Sequence, residues 1–179
     1  MDFLDILKDK AFLGREFLTW LWFKSEQTGG RVELPGEKVV EVVFLDRMTL
    51  DLHDSETPEF VSIRGEHSQL REGLAALKKG KKIHEARLSF RAGENDFTVV
   101  LKGTWFSYGA FTTPPILPSA EDEPDEGPEG RLLEKAALIE EGMSIIDTLF
   151  EYFLKLRISD EWETTELPAV RSWIASSID

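Results

Sequence analysis

Cysteine is absent from this chain of 179 residues, which excludes disulfide bonds, thiolate metal ligands and cysteine nucleophiles together. The first residues also lack the features of a secretory signal, because aspartates interrupt the apolar residues where a continuous apolar stretch is needed. The most apolar run near the front, residues 17–23, is much shorter than the ~20 residues that cross a bilayer. We therefore expect a cytoplasmic protein with no membrane contact.

The sequence also lacks the motifs of common catalytic sites. His53, His67 and His84 lie on three separate segments, and none of them has the spacing of a histidine metal site. Neither a GxSxG nucleophile elbow nor a glycine-rich phosphate loop is present. These absences predict a binding protein that is not an enzyme and has no cofactor or metal. Three or more acids converging in one pocket would revive the alternative of a metal-dependent nuclease.

Basic residues are few, and the formal net charge is −13. Nucleic-acid binding needs clustered lysine and arginine, so this charge argues against it. The distribution is uneven, however, because residues 1–118 carry 16 basic and 18 acidic side chains whereas residues 119–179 carry 5 and 16. Salt screens repulsion beyond about 10 Å, so a local basic surface in the first part of the chain can still hold an anion.

The hydrophobic pattern predicts an α+β fold. Residues 13–27 form an apolar helix, and residues 68–79 form a shorter helix with leucines on one face. Runs of β-formers with a period of two predict an antiparallel or mixed sheet of about five to six strands. The predicted strands are residues 38–44, 47–53, 59–64, 82–91, 97–103 and 104–111, with a hairpin turn at residues 92–95.

The last third of the chain has a different composition. Residues 112–130 are rich in proline and acid without any basic residue, which predicts a flexible linker. A long apolar helix over residues 131–156 and a short one over residues 167–176 follow, and we expect residues 1–179 to form a single domain. The sheet should pack against the N-terminal helix and the long C-terminal helix. The heptad spacing also allows a homodimer that associates through Leu132, Ile139, Ile146 and Phe153. Packing of the same stripe against the sheet or the N-terminal helix is favoured.

One segment is distinctly basic: positions 78–91 contain six cations and a single acid, Glu85. Strand alternation places Ala86, Leu88 and Phe90 on one face and the two arginines on the other. Clustered cations suit a phosphate backbone, although lysines that end a helix and arginines on an outer sheet surface are also ordinary structural features. The candidate DNA-binding residues are Lys78, Lys79, Lys81, Lys82, Arg87 and Arg91.

Aromatic residues offer a second candidate surface, since rings can stack on nucleic-acid bases. Trp20, Trp22 and Phe23 lie in a helix with apolar neighbours, which favours core packing over a ligand role. Trp105, Phe106 and Tyr108 follow a predicted strand, and we expect them in the core or at an interface.

Three passages resemble the C-terminal part of the RdgC family of recombination-associated proteins. FLGREFLTWLWF at residues 12–23 is similar to the opening of short family members. The unit over residues 69–90, with LKKGKKI at 77–83, resembles the family's helix, Gly-Lys turn and hairpin. The long helix after the acidic segment resembles the family's last helix, so that the resemblance spans residues 12–156 and includes no catalytic signature.

This resemblance implies a nucleoid-associated protein that binds DNA without sequence preference, forms a ring-shaped homodimer and restrains the RecA recombinase. It places the DNA contact on Lys78, Lys79, Lys81 and Lys82. The chain is much shorter than the long family members, so ring closure stays open. The alternative is a protein-interaction module whose acidic linker and C-terminal third bind a basic partner or a recombinase surface without touching nucleic acid.

Overall fold

The computed structural model describes residues 3–36, 38–51, 60–64, 70–116 and 128–176. These residues form four α-helices, a π-helical turn at Trp162–Glu166 and six strands. The helices are α1 (Phe3–Gln27), α2 (Leu70–Lys78), α3 (Pro128–Arg157) and α4 (Leu167–Ser176). The strands are β1 (Arg31–Leu34), β2 (Lys38–Asp51), β3 (Phe60–Arg64), β4 (Lys82–Ala92), β5 (Asn95–Lys102) and β6 (Ser107–Thr112). The predicted α+β class is confirmed.

The strands form one antiparallel sheet in the order β1-β2-β4-β5-β6, with β3 paired to the second half of β2. Two separate strands were predicted at residues 38–44 and 47–53, and this prediction is wrong, because a single strand, β2, runs from Lys38 to Asp51. Residues 52 and 53 lie outside the described residues. The register of β2 against β4 shifts between Phe44 and Met48. Because a bulge absorbs the extra residues, apolar side chains on both sides of it reach the same core face.

The predicted hairpin between β4 and β5 is confirmed. Ala92 pairs with Asn95, so the turn consists of two residues, and Gly93 has a φ of +64° that favours glycine. The next strand begins later than predicted, because residues 103–106 form a turn before β6. Phe106 in this turn has a φ of +47°, and its ring stacks on Phe150 of α3 at a centroid distance of 4.1 Å. This stacking stabilises a backbone conformation that is unfavourable for a residue with a Cβ.

The core lies between one face of the sheet and the helices. Phe17, Trp20 and Trp22 of α1 are buried, and Phe23 is nearly so, which confirms the prediction that these aromatic residues pack inside. The ring of Phe17 lies 5.2 Å from that of Phe150 in α3, centroid to centroid. Both long helices therefore share one hydrophobic cluster with the buried side chains of the sheet, as predicted.

Helix α3 is buried only in its second half. Ile146 and Phe153 pack inside the chain, whereas residues 131–137 are all exposed and Leu132 keeps 68% of its surface accessible. The predicted heptad positions are thus divided between the core and the surface. The predicted linker at 112–130 is also shorter than expected, because Thr112 ends β6 and α3 begins at Pro128; residues 117–127 lie outside the described residues.

The aromatic residues after β5 have different environments. Phe106 and Tyr108 pack against the core, and the Tyr108 hydroxyl donates a hydrogen bond of 2.8 Å to Asp147 of α3. Partial burial, together with this carboxylate, raises the pKa of Tyr108 above its ordinary value. Trp105, in contrast, is 66% exposed. The predicted core position is therefore confirmed for Phe106 and Tyr108 but not for Trp105.

Within the described parts of the chain, none of the helices combines the length and the apolarity needed to cross a membrane.

Candidate nucleic-acid interface and an adjoining pocket

The turn between α2 and β4 is built by a standard helix-ending motif. The amide of Gly80 donates to the carbonyl of Leu77 at 2.9 Å, and the amide of Lys81 donates to that of Ala76 at 3.0 Å. This pair of bonds is the Schellman motif, in which glycine takes the left-handed conformation, and Gly80 has a φ of +84°. The predicted glycine stop of the helix is therefore confirmed.

The lysines of this turn divide into two pairs. Lys78 and Lys79 are exposed at the end of α2, where cations also offset the negative end of the helix dipole. Lys81 retains only 7% of its surface, and Lys82 is half-buried at the start of β4. Both have partners within the chain. Only the first pair is fully accessible to a large ligand such as a nucleic-acid backbone.

The two arginines of β4 lie on the outward face of the sheet, as strand alternation predicts, because Ala86, Leu88 and Phe90 are buried on the other face. Each arginine is paired with acids. Arg87 lies 3.3 Å from Asp46. Arg91, on the same face, is paired with two acids. Its Nε donates a hydrogen bond of 2.6 Å to Asp96, and its Nη1 lies 3.6 Å from the carboxylate of Glu41.

These ion pairs change the electrostatics of the outward face. The hydrogen bond from Arg91 holds the pKa of Asp96 below its ordinary value, so the carboxylate stays charged beside the arginine at neutral pH. Exposed pairs of this kind contribute little to stability, but the acids cancel much of the field that a phosphate would meet. The six predicted site residues therefore do not form one continuous cationic surface: the lysines cluster at the turn, and the arginines sit among acids.

A buried polar network, which sequence reasoning missed, lies beside the turn. Arg15 of α1 is 3% exposed and binds both carboxylate oxygens of Asp51, at 2.9 and 3.2 Å. Its Nη2 also donates to the hydroxyl of Thr104 at 3.1 Å, and the Nδ1 of His84 lies 2.9 Å from the same hydroxyl. An arginine inside a mostly apolar stretch of α1 was the signal in the sequence, since a buried charge needs a partner.

This network resembles a hydrolytic triad only in composition. The Nδ1 of His84 faces both the hydroxyl of Thr104, at 2.9 Å, and the carboxylate of Asp51, at 3.8 Å. In a triad the nucleophile and the orienting acid contact opposite ring nitrogens of the histidine. The arrangement is instead a buried ion pair between Arg15 and Asp51, with further hydrogen bonds at the hydroxyl of Thr104.

A pocket of about 250 Å³ opens next to this network, between α1, the α2–β4 turn, the π-helical turn and α4. We call it the α1–α4 pocket. Its charged lining consists of Arg15, Lys81, Lys82, Arg171 and Glu16. Its apolar lining includes Trp20, Leu77, Trp162, Leu167, Val170 and Ile174.

The acids around the pocket are already engaged. Glu16 accepts a hydrogen bond of 2.8 Å from Arg157, and Glu166 accepts bonds from Lys24 and from the indole of Trp20 at 2.5 and 3.2 Å. Among the described residues, no group of three or more histidines and acids is arranged to hold a metal ion.

Comparison of the chain with protein-family models, with curated proteins and with solved structures gives no match.

Proposed function

We propose that this is a non-enzymatic protein that binds DNA without sequence preference and modulates recombination, with its contact to the phosphate backbone at the α2–β4 turn. The observation that carries the proposal is the exposure of Lys78 and Lys79 on a turn whose backbone is fixed by hydrogen bonds. Four lysines fall within five positions there, and no acid interrupts them. The resemblance to RdgC proteins supports the same location.

Lys78 and Lys79 are the primary contacts in this proposal. Lys82 lies three positions further along the chain, but it is half-buried and has a partner within the chain, so its contribution is smaller. Arg87 and Arg91 would have to exchange carboxylate partners for phosphate, so their contribution is smaller. Binding should depend steeply on salt, because each neutralised phosphate releases condensed counterions.

Replacing both exposed lysines, in Lys78→Glu/Lys79→Glu, is expected to weaken DNA binding at low salt by at least about tenfold, since two favourable charges become repulsive. The slope of log K against log salt should also become shallower by about two units, because each neutralised phosphate contributes about −0.9 to that slope. Fluorescence anisotropy with labelled duplex and labelled single strands measures both quantities.

A control on the outward sheet face is Arg87→Gln/Arg91→Gln, which removes two positive charges and thus makes half the charge change of the lysine variant. We expect it to change the affinity by less than about threefold, because those charges are already compensated. Undetectable binding by the folded unmodified protein at low salt would overturn the proposal. Equal losses of affinity in the two double variants would move the site to the sheet face.

A second function, an acidic protein-interaction module, is favoured by one specific observation. Residues 131–137 at the start of α3 are all exposed, and they include Leu132 and Leu133 at 68% and 72%. Neighbouring exposed leucines on a helix suit the apolar groove of a protein partner. Deletion of residues 120–129 and the variant Leu132→Glu/Leu133→Glu should each abolish capture of purified RecA if this function holds. Capture that persists in both excludes it.

A further inference from the structure

Trp105 is exposed in a protein that buries most of its aromatic residues. The residue keeps 66% of its surface accessible to water. No other aromatic side chain whose burial the structure describes is exposed. Tryptophan is highly buried on average, because its large ring gains more than most side chains from leaving water. An indole left in solvent is therefore a candidate contact for a ligand.

The turn that carries Trp105 is anchored on both sides of this residue. Before it, the hydroxyl of Thr104 accepts a hydrogen bond of 3.1 Å from the Nη2 of Arg15. After it, the ring of Phe106 stacks on that of Phe150 at a centroid distance of 4.1 Å. The backbone under the exposed indole is thus fixed by its two neighbours. A side chain presented in this way loses little conformational freedom when it binds.

This turn lies at the same end of the sheet as the α2–β4 turn. The amide of Gly103 donates a hydrogen bond of 2.8 Å to the carbonyl of His84 near the start of β4. Lys79 precedes His84 by five positions, which an extended chain spans in at most about 18 Å. Arg15, which bonds to the tryptophan turn, also lines the α1–α4 pocket together with Gly80 of the α2–β4 turn. The exposed ring and the exposed lysines therefore share one end of the sheet.

Lysines and an aromatic ring recognise different parts of a nucleic acid. Lys78 and Lys79 suit phosphates, which a duplex and a single strand both offer. A ring stacks on the face of a base, and a duplex covers those faces with neighbouring base pairs, whereas a single strand leaves them accessible. A single strand also bends easily between two turns, whereas duplex DNA has a persistence length of about 50 nm. A ring and lysines on two turns of the same end therefore favour a single strand.

We propose that Trp105 is a base-stacking platform through which this protein prefers single-stranded DNA to duplex DNA. One base stacks on the exposed indole, and phosphates further along the strand contact Lys78 and Lys79. The inference rests on the proposed function and deepens it, because it names the form of DNA that the site takes. It also adds a base contact to a site that otherwise consists of phosphate contacts alone.

The test is fluorescence anisotropy of the full chain with labelled oligo(dT) and with a labelled duplex at the same low salt concentration. We expect the unmodified protein to bind oligo(dT) more tightly. Trp105→Ala should weaken oligo(dT) binding at least about fivefold, because it removes one stacked base, and should change duplex binding by less than about twofold. Trp105→Phe keeps a ring and should retain most of the affinity for oligo(dT).

Val43→Ala is the control variant. It also truncates an exposed apolar side chain, at 53% accessibility, but Val43 lies on the outward sheet face opposite Ser89. We expect both affinities to stay unchanged in this variant. Unchanged oligo(dT) affinity in Trp105→Ala, or equal losses for oligo(dT) and the duplex, would overturn the stacking role. A duplex bound as tightly as oligo(dT) by the unmodified protein would overturn the preference.

Failure of this inference can be told apart from failure of the proposed function. If the folded, unmodified protein binds neither form of DNA, both are overturned. If it binds both forms and only Lys78→Glu/Lys79→Glu weakens them, the phosphate contact stands and the stacking role is overturned. Tryptophan emission gives a second readout: unlabelled oligo(dT) should quench it in the unmodified protein but much less in Trp105→Phe. Equal quenching in the two proteins contradicts stacking on Trp105.

Discussion

Asp51→Asn is expected to lower the free energy of unfolding by about 3–5 kcal/mol, because it leaves the guanidinium of Arg15 buried without its counter-charge. The two residues form a bidentate pair at 2.9 and 3.2 Å, and both are nearly inaccessible to water. An uncompensated charge in that position cannot recover its hydration without moving α1 away from the sheet. Chemical denaturation followed by tryptophan fluorescence measures the change.

The exposed pair between Arg91 and Asp96 is the matched control. Arg91→Gln removes one partner of a pair that is about half exposed on both sides, and we expect a much smaller change in the free energy of unfolding than for Asp51→Asn. The double variant Arg15→Met/Asp51→Leu should recover most of the stability, since replacing a buried pair by apolar residues is often neutral or stabilising. If Asp51→Asn costs no more than Arg91→Gln, the buried pair does not hold α1 in place.

The second large effect is expected for Gly14→Ala, which should destabilise the protein by about 2–3 kcal/mol. A Cβ on residue 14 would lie 2.1 Å from the carbonyl oxygen of Gly103, a backbone atom in the turn after β5. That overlap outweighs the ~1 kcal/mol by which alanine exceeds glycine in helix propensity. The turn also carries Thr104, so a forced shift would disturb the hydrogen bond to Arg15 as well.

Two variants separate this overlap from the effect of helix propensity. Gly142→Ala has the same propensity gain in α3, but its Cβ would meet side-chain atoms, the rings of Phe111 and Phe97 at 2.5 and 2.8 Å, which can shift more than a backbone carbonyl, so we expect a smaller destabilisation. Lys135→Ala on the exposed part of α3 should change stability by no more than about 0.5 kcal/mol. A Gly14→Ala protein as stable as the unmodified one would contradict the close approach of the two backbones.

Much of the fold was predictable because its signals are local. The alternation of β4 correctly predicted which side chains face the core, and the turn chemistry around Gly93 correctly predicted the hairpin. The error at β2 has a specific cause: the bulge between Phe44 and Met48 interrupts the period of two, so one strand resembles two. The start of β6 was mispredicted because the turn at 103–106 is rich in apolar aromatic residues.

The candidate site was less predictable than the fold, and the reason is different for each of its features. The partner of Arg91 could have been found, since a two-residue turn at 93–94 sets Asp96 opposite it in the hairpin. The partner of Arg87 could not, because Asp46 lies in the irregular part of β2. The α1–α4 pocket draws on four segments whose relative positions no local pattern encodes.

The sequence by itself determined most of the helices and strands, most of the core, and the places where the lysines and arginines cluster along the chain. Only the tertiary structure decided that Lys78 and Lys79 are exposed while Lys81 is buried, and that Arg87 and Arg91 are paired with acids. It also decided that Arg15 pairs with Asp51 across 36 positions and that a pocket lies between α1 and α4. The reason is physical. Hydrophobic periodicity and turn chemistry act over a few residues, whereas charge compensation and cavities depend on distances that packing sets between residues far apart in the chain.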